Sequence, residues 1–200
     1  MHIKTIGLKR RLPMARPKKI SNEDILTRVI PVFWKSGLAG TSLGQLEEAT
    51  NVNRSSLYAT FCSKEQLFVS ALEYYVSSAP AQFLLQKQPY GWDNIEAFLL
   101  AAPFNNPAFN GCFLVNSSRE VGELPDEALA IVRNFRDAVV AQIQLNIPAE
   151  EAGDNSGVMA DIIWSTLAEA CLEANDALDR AAWQQRVIHL LKFLKSSHSR

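Results

Sequence analysis

The residues best suited to covalent or metal chemistry are few and scattered. Three cysteines (Cys62, Cys112, Cys171) and three histidines (His2, His189, His198) form no Cys-x-x-Cys pair and no zinc-site spacing. An odd, dispersed thiol count fits a reducing cytoplasm, with cysteine used as a small apolar residue. A redox sensor at Cys62 or Cys112 would need an electropositive, exposed setting. Glu120, Glu123, Asp126 and Glu127 cluster, but such a run is ordinarily a solvated face or a helix start. No His-Asp-Ser arrangement and no phosphate-cradling glycine loop occurs. No catalytic residue, metal or cofactor is assigned.

Residues 41–64 offer a different chemistry, recognition of a polyanion. Arg54, Ser55 and Ser56 are adjacent, with Tyr58 at the edge of the same face. Arginine matches guanine O6 and N7, and serine reaches most base edges or a phosphate. Thr41 and Ser42 fall at a helix start, where hydroxyls and free N–H groups favour a phosphate. Lys64, at the start of the next helix, is placed to pin a nucleic-acid backbone from the other side. The charge distribution agrees. Residues 1–75 carry eleven Lys and Arg against six Asp and Glu, and residues 76–200 carry nine against fifteen, within a net charge of −1. A basic head and an acidic body lie inside a nearly neutral chain, which points one end at a polyanion.

The elements that must position these residues are all helical. With 48% hydrophobic and 20% charged residues, the composition is that of a globular protein and not a disordered chain. No apolar run approaches the roughly 18–20 residues that span a bilayer. The basic N-terminus lacks the apolar segment of a secretory signal. A cytoplasmic protein with no membrane partner is expected. Residues 1–20 read as a flexible basic arm around Pro13 and Pro17, and Met14 is a candidate start, with 1–13 an upstream extension. Ser21 caps a first helix, which Pro31 is expected to kink and Gly37 and Gly40 to end. Thr41 or Ser42 caps a second helix. Asn51, tolerant of a left-handed backbone, makes the turn. Asn53 caps a third helix over 54–61, and Ser63 and Gln66 stand at capping-box spacing for a fourth. Further helices are expected near 80–88, 92–102, 108–121, 125–146, 156–175 and 179–196, with 148–157 as a loop and no strands.

Two short helices joined by a tight turn, the second with an outward polar and basic face, form a helix-turn-helix pattern. Ile25 to Leu67 resembles the DNA-binding head of the TetR family of bacterial regulators. The resemblance is carried by Ile25-Leu26, Phe33, Gly37, Gly40-Thr41-Ser42, Leu46, Val52, Asn53-Arg54-Ser55-Ser56-Leu57-Tyr58, Phe61 and Ser63-Lys64-Glu65-Gln66-Leu67. It implies a homodimer that binds a palindromic double-stranded operator and represses. It further implies DNA contacts from Thr41, Ser42, Asn53, Arg54, Ser55, Ser56, Tyr58 and Lys64, with Arg16, Lys18 and Lys19 reaching DNA from the arm. The chain departs from the family pattern at Asn51 and Cys62, where glycine is common, at Glu47, where a small residue is usual, and at Ser55. A left-handed Cys62 would cost on the order of 1 kcal/mol.

The implied organisation is all-α: a head over 21–78 and a ligand-binding and dimerisation body over 79–200. Aromatic residues gather in the body, among them Phe83 and Tyr90. Trp92, Phe98, Phe104, Phe109, Cys112, Phe113, Asn116 and Trp164 are the pocket candidates, for an apolar or aromatic effector. The last two helices carry broad apolar faces. The resemblance makes them the dimer interface, through Ile163, Leu167, Ala170, Trp183, Val187, Leu190, Leu191 and Leu194. Two other readings stand beside this one: a thiol-responsive regulator with the same head, and a helical enzyme or binding protein without a DNA role.

Overall fold

Ser21 fixes the start of the first helix by a capping box. Its Oγ accepts from the Asp24 N–H at 3.1 Å, and the Ser21 N–H donates to Asp24 Oδ2 at 3.3 Å. The computed structural model describes residues 20–78, 80–104, 111–176 and 178–196. Met14, Arg16, Lys18, Lys19 and Phe109 lie outside them. Among the described residues every regular element is a helix. The head holds α1 (Asn22–Gly40), α2 (Leu43–Thr50), α3 (Arg54–Phe61) and α4 (Lys64–Ser78). The body holds α5 (Trp92–Ala101), α6 (Phe113–Ser117), α7 (Asp126–Leu145), α8 (Ala149–Ala152), α9 (Ser156–Glu173) and α10 (Arg180–Ser196). Short 3₁₀ turns occupy Pro80–Gln86, Ala102–Phe104, Ser118–Glu120 and Gly153–Asn155.

Several expectations are corrected. The backbone leaves helical geometry within α1 at Gly37 (φ 70°, ψ 177°) and not at Pro31. Proline's fixed φ suits a helix and removes only one hydrogen bond, whereas a positive φ interrupts the helix outright. Of the helix expected over 108–121, residues 108–110 lie outside the described residues, and the rest holds only short α6 and a 3₁₀ turn. The loop over 148–157 contains α8, whose first turn holds Glu150 and Glu151 against the helix dipole.

Two apolar clusters organise the chain. The first joins α1, α2, α3 and α4 through Phe33, Leu46, Leu57, Leu67 and Phe68, and continues into Phe113, Leu114, Leu124, Ala128 and Val132. The second fills the body with Leu85, Ile95, Leu99, Val139, Ile143 and Trp183. Trp183 satisfies its buried N–H by donating to the Leu99 carbonyl at 2.8 Å. The interface expected of the last helices is also corrected. Ile163, Leu167, Ala170, Trp183, Val187, Leu191 and Leu194 are buried in the chain's own core, and Leu190 packs against it half-buried. Helices α5 and α7 cover those faces. The large apolar side chains that α9 and α10 leave exposed are Val158, Ile162, Ile188 and Phe193.

Candidate nucleic-acid interface and effector cavity

Ser42, and not Thr41, caps α2. Its N–H donates to Gln45 Oε1 at 2.8 Å, and its Oγ accepts from the Gln45 N–H at 3.3 Å. Thr41 is only 2% exposed and its hydroxyl donates to the Gly37 carbonyl. Its side chain faces the protein, which corrects its expected place on the outer surface. Asn51 takes the left-handed turn at φ 57°, ψ 32°, and its N–H donates to the Glu47 carbonyl at 2.8 Å. Asn53 then caps α3 by accepting from the Ser56 N–H at 2.9 Å. Glu47 accepts from the Arg54 N–H, so the unusual acid in α2 serves the dipole of α3. Leu46 and Leu57, both buried, lock the pair.

The outer face of α3 presents Arg54, Ser55, Ser56, Ala59 and Thr60, all exposed, with Tyr58 half-buried. The Arg54 guanidinium lies 5.3 Å from the Tyr58 ring centroid. Among the described residues, that guanidinium and the Ser55 hydroxyl hold no protein hydrogen bond. Lys64 is turned inward. Its Nζ donates to the Leu38 carbonyl at 2.8 Å and the Thr41 carbonyl at 3.0 Å. One of its three N–H donors is left for any further acceptor. Arg28, which sequence reasoning passed over, ties α1 to the end of α2 through the Thr50 carbonyl at 3.2 Å.

Head and body meet in a seam. Phe113 stacks on Trp34 at 5.9 Å and meets Phe68 and Tyr75 edge-on at 5.7 and 5.8 Å. Aromatic pairs of this kind add about 0.5–1.5 kcal/mol each beyond burial. Asn175 accepts from Trp34 Nε1 at 3.0 Å and donates to Asn116 Oδ1 at 2.9 Å, and Asn116 donates to the Trp34 carbonyl at 3.2 Å. Glu120 accepts from the Ala39 N–H at 3.3 Å, and its carboxylate fills the space a side chain at Gly37 would take. Phe113, expected in the pocket, packs in this seam instead, and Asn116 lines a separate cavity there of about 380 Å³, with Trp34, Ser36 and Glu120.

The pocket candidates divide. Phe98, Cys112 and Trp164 line one cavity of about 40 Å³, with Tyr75, Gln82, Val115, Phe135 and Leu167. Trp92 lies elsewhere. It is buried, donates to Glu151 at 2.8 Å and sits beneath Lys195. Phe104 is covered by Arg180, whose guanidinium is 3.9 Å from the ring centroid. Phe83 and Tyr90 are exposed. Tyr75 and Phe135 were missed. Tyr75 reads as one more apolar position of α4, and Phe135 as the apolar stripe of α7; only the tertiary fold turns them to one space. Burial pushes the Cys112 thiol up, and burial followed by its neighbour Cys112 pushes Cys171 well up. Tyr75 is raised, first by burial and then by Cys112, to whose sulfur its hydroxyl is hydrogen-bonded. These are protonated, packed groups and not activated nucleophiles.

A groove of about 200 Å³ adjoins the cavity and shares Val115, Phe135 and Trp164 with it. Among the described residues no group of three or more His, Cys, Asp or Glu is placed to hold a metal ion. No helix there is long and apolar enough to cross a membrane.

Residues 25–71 match the family described as bacterial regulatory proteins, tetR family. The HTH-type transcriptional repressor ComR of Escherichia coli (strain K12) is 33% identical over 110 residues, covering 51% of this chain and 51% of that protein. An HTH-type transcriptional regulator of Bacillus subtilis (strain 168), YezE, is 38% identical over 68 residues, 34% of this chain and 35% of that one. The chain thus spans about half, or less, of the curated relatives it matches. The fold is shared over a greater length. A cysteine mutant of the TetR family regulator CifR, complexed with 26 bp double-strand operator DNA, superposes with a TM-score of 0.74. It is 25% identical, over 88% of this chain and 98% of that one. The head thus matches the tetR family over residues 25–71, and the fold over most of the chain is similar to that of a TetR family regulator.

Proposed function

We propose that the chain is a dimeric DNA-binding transcriptional regulator, a repressor released from a palindromic operator by a small apolar or aromatic effector. The observation that carries this is the outer face of α3. A polar, basic surface is held rigid by three caps (Ser42, Asn53, Glu47) and an αL turn, yet the guanidinium N–H groups of Arg54 and the Ser55 hydroxyl hold no hydrogen bond among the described residues. Residues 21–78 act as the head and 79–200 as the body. Arg16, Lys18 and Lys19 add phosphate contacts from the arm. Ser42, Asn53, Ser56 and Tyr58 complete the DNA surface, and Lys64 chiefly positions it. The chromosome makes the cytoplasm its place of work, and no residue set calls for catalysis.

Dimerisation uses the exposed apolar side chains of α9 and α10, Val158 and Ile162 on α9 with Phe193 on α10, so that two recognition helices face half-sites about 34 Å apart. An effector entering beside Phe98, Cys112 and Trp164 would move α6 and α9. The seam from Asn116 and Asn175 to Trp34 carries that movement into α1. The raised thiols of Cys112 and Cys171 speak against a thiol response at those two residues, which leaves exposed Cys62 as the thiol for that alternative.

Duplexes selected from a random pool by the full chain, then titrated by fluorescence anisotropy across a salt series, test the reading. Arg54→Ala should cost about 1–3 kcal/mol on the selected duplex and relax its sequence preference. Unchanged affinity and preference would remove α3 from the interface. Failure to bind any DNA at low salt would remove the regulator reading.

A further inference from the structure

We propose that the effector is a small carboxylate with an aromatic or alkyl body, its carboxylate held by Arg133 at the mouth of the α6–α7–α9 groove. The proposal rests on the ligand-controlled reading above and names the chemistry of that ligand.

Three observations converge. The groove is walled by apolar side chains, with Val132, Phe135 and Trp164 among them, and no acid lines it. A cationic ligand therefore finds no partner there. Two guanidinium groups stand among its lining residues, and they are not equivalent. Arg136 is already engaged, to Asp137 at 2.9 Å and Asp161 at 2.8 Å. Arg133 is exposed and, among the described residues, holds no hydrogen bond or ion pair. A free guanidinium beside an apolar slot presents the planar fork that pairs with a carboxylate through two parallel hydrogen bonds.

The inner end explains the apolar body. The groove and the inner cavity share Val115, Phe135 and Trp164 as walls, and the last two rings meet edge-on at 6.2 Å. These two rings stand in the partition between the two spaces. Beyond that partition the lining includes Tyr75, Phe98, Cys112 and Leu167, with the Gln82 amide beside them and no charged group. A ligand anchored at Arg133 thus runs inward through a mainly apolar, uncharged space. The groove's volume of about 200 Å³ suits one ring or a short chain. The site also stays clear of the dimer stripe. Trp164 and Ala168 lie about 120° around α9 from Val158 and Ile162 at helical pitch.

Calorimetric titration of the full chain with three ligands of one body and different heads tests this: phenylbutyrate, phenylbutyramide and phenylbutylamine. The acid should bind, the amide about tenfold or more weakly, and the amine not measurably. Arg133→Gln should weaken the acid by about tenfold, leave the amide unchanged and leave the melting temperature where it was. Equal affinity for acid and amide, no loss in Arg133→Gln, or no binding of the acid would each overturn the assignment. The operator complex, formed without any acid, is measured separately, so its failure indicts the regulator reading and not the ligand. An acid that binds through Arg133 yet leaves the operator complex intact would overturn its role as effector.

Discussion

At the scale of single residues, Cys62 is the clearest exception to backbone preference. It closes α3 at φ 65°, ψ −50°, exposed, with its N–H donating to the Tyr58 carbonyl at 2.9 Å. A side chain there has steric cost and no packing return. Cys62→Gly should raise stability by about 0.5–1 kcal/mol, the relieved strain exceeding glycine's extra chain entropy. Urea denaturation at constant m-value checks it, and a lowered midpoint would contradict it. The buried thiols and Tyr75 make a pH prediction. Unfolded, they ionise near 9.0 and 10.0; folded, burial holds them protonated to higher pH. Their contribution is complete below the unfolded values and is lost as pH rises past about 9. The urea midpoint should fall steadily in that alkaline range, and Cys112→Ser with Cys171→Ala should flatten the slope. A slope unchanged by both would refute the linkage. Sequence made Asn51 and Cys62 legible, because a tight turn needs a left-handed residue whatever surrounds it. It could not show Thr41 turning inward, or Glu47 reaching α3, since both depend on where a neighbouring helix ends.

At the scale of elements, Lys64 shows one helix finishing another. The ammonium at the start of α4 satisfies two carbonyls beyond the Gly37 break in α1, which no intrahelical donor reaches. Lys64→Met keeps the stem and removes the donors. It should cost about 1–2 kcal/mol, discounted for partial exposure. Thermal or urea unfolding measures this, and an unchanged midpoint would mean that water replaces the ammonium without loss. The head helices were readable because each carries its own start and stop: Ser21, Ser42, Asn53 and Asn51 act within four residues of themselves. Helix α6 was misjudged for the opposite reason. Its five residues are set by tertiary packing of Phe113 and Leu114, not by caps, and its N-cap Cys112 makes no side-chain capping bond. Helix α8 was missed because four residues carry too little periodicity to register.

At the scale of the whole molecule, the two-fold partner proposed above would sit on the apolar side chains that α9 and α10 leave exposed. Phe193, at 68% exposure, and Ile162, at 41%, are the tokens of that face. Phe193→Glu with Ile162→Glu should convert a dimer into a folded monomer in sedimentation, with the helical circular dichroism intact. A persisting dimer would move the interface elsewhere. The sequence announced that α9 and α10 are apolar on more than one side. It did not say which side turns inward, because α5 and α7 settle that from a distance along the chain. The same long-range closure governs the head. Phe113 sits 1% exposed among Trp34, Phe68 and Tyr75, so the head's own core is finished by a residue more than thirty positions beyond α4. The head is therefore not a portable cassette. A chimaera cut at residue 78 would carry a hole the size of a phenyl ring. One that imports another body would inherit that body's plug, and with it a recognition helix set at a foreign angle. On the DNA-binding role proposed for α3, exchange of specificity between such proteins proceeds by rewriting the surface of α3 in place.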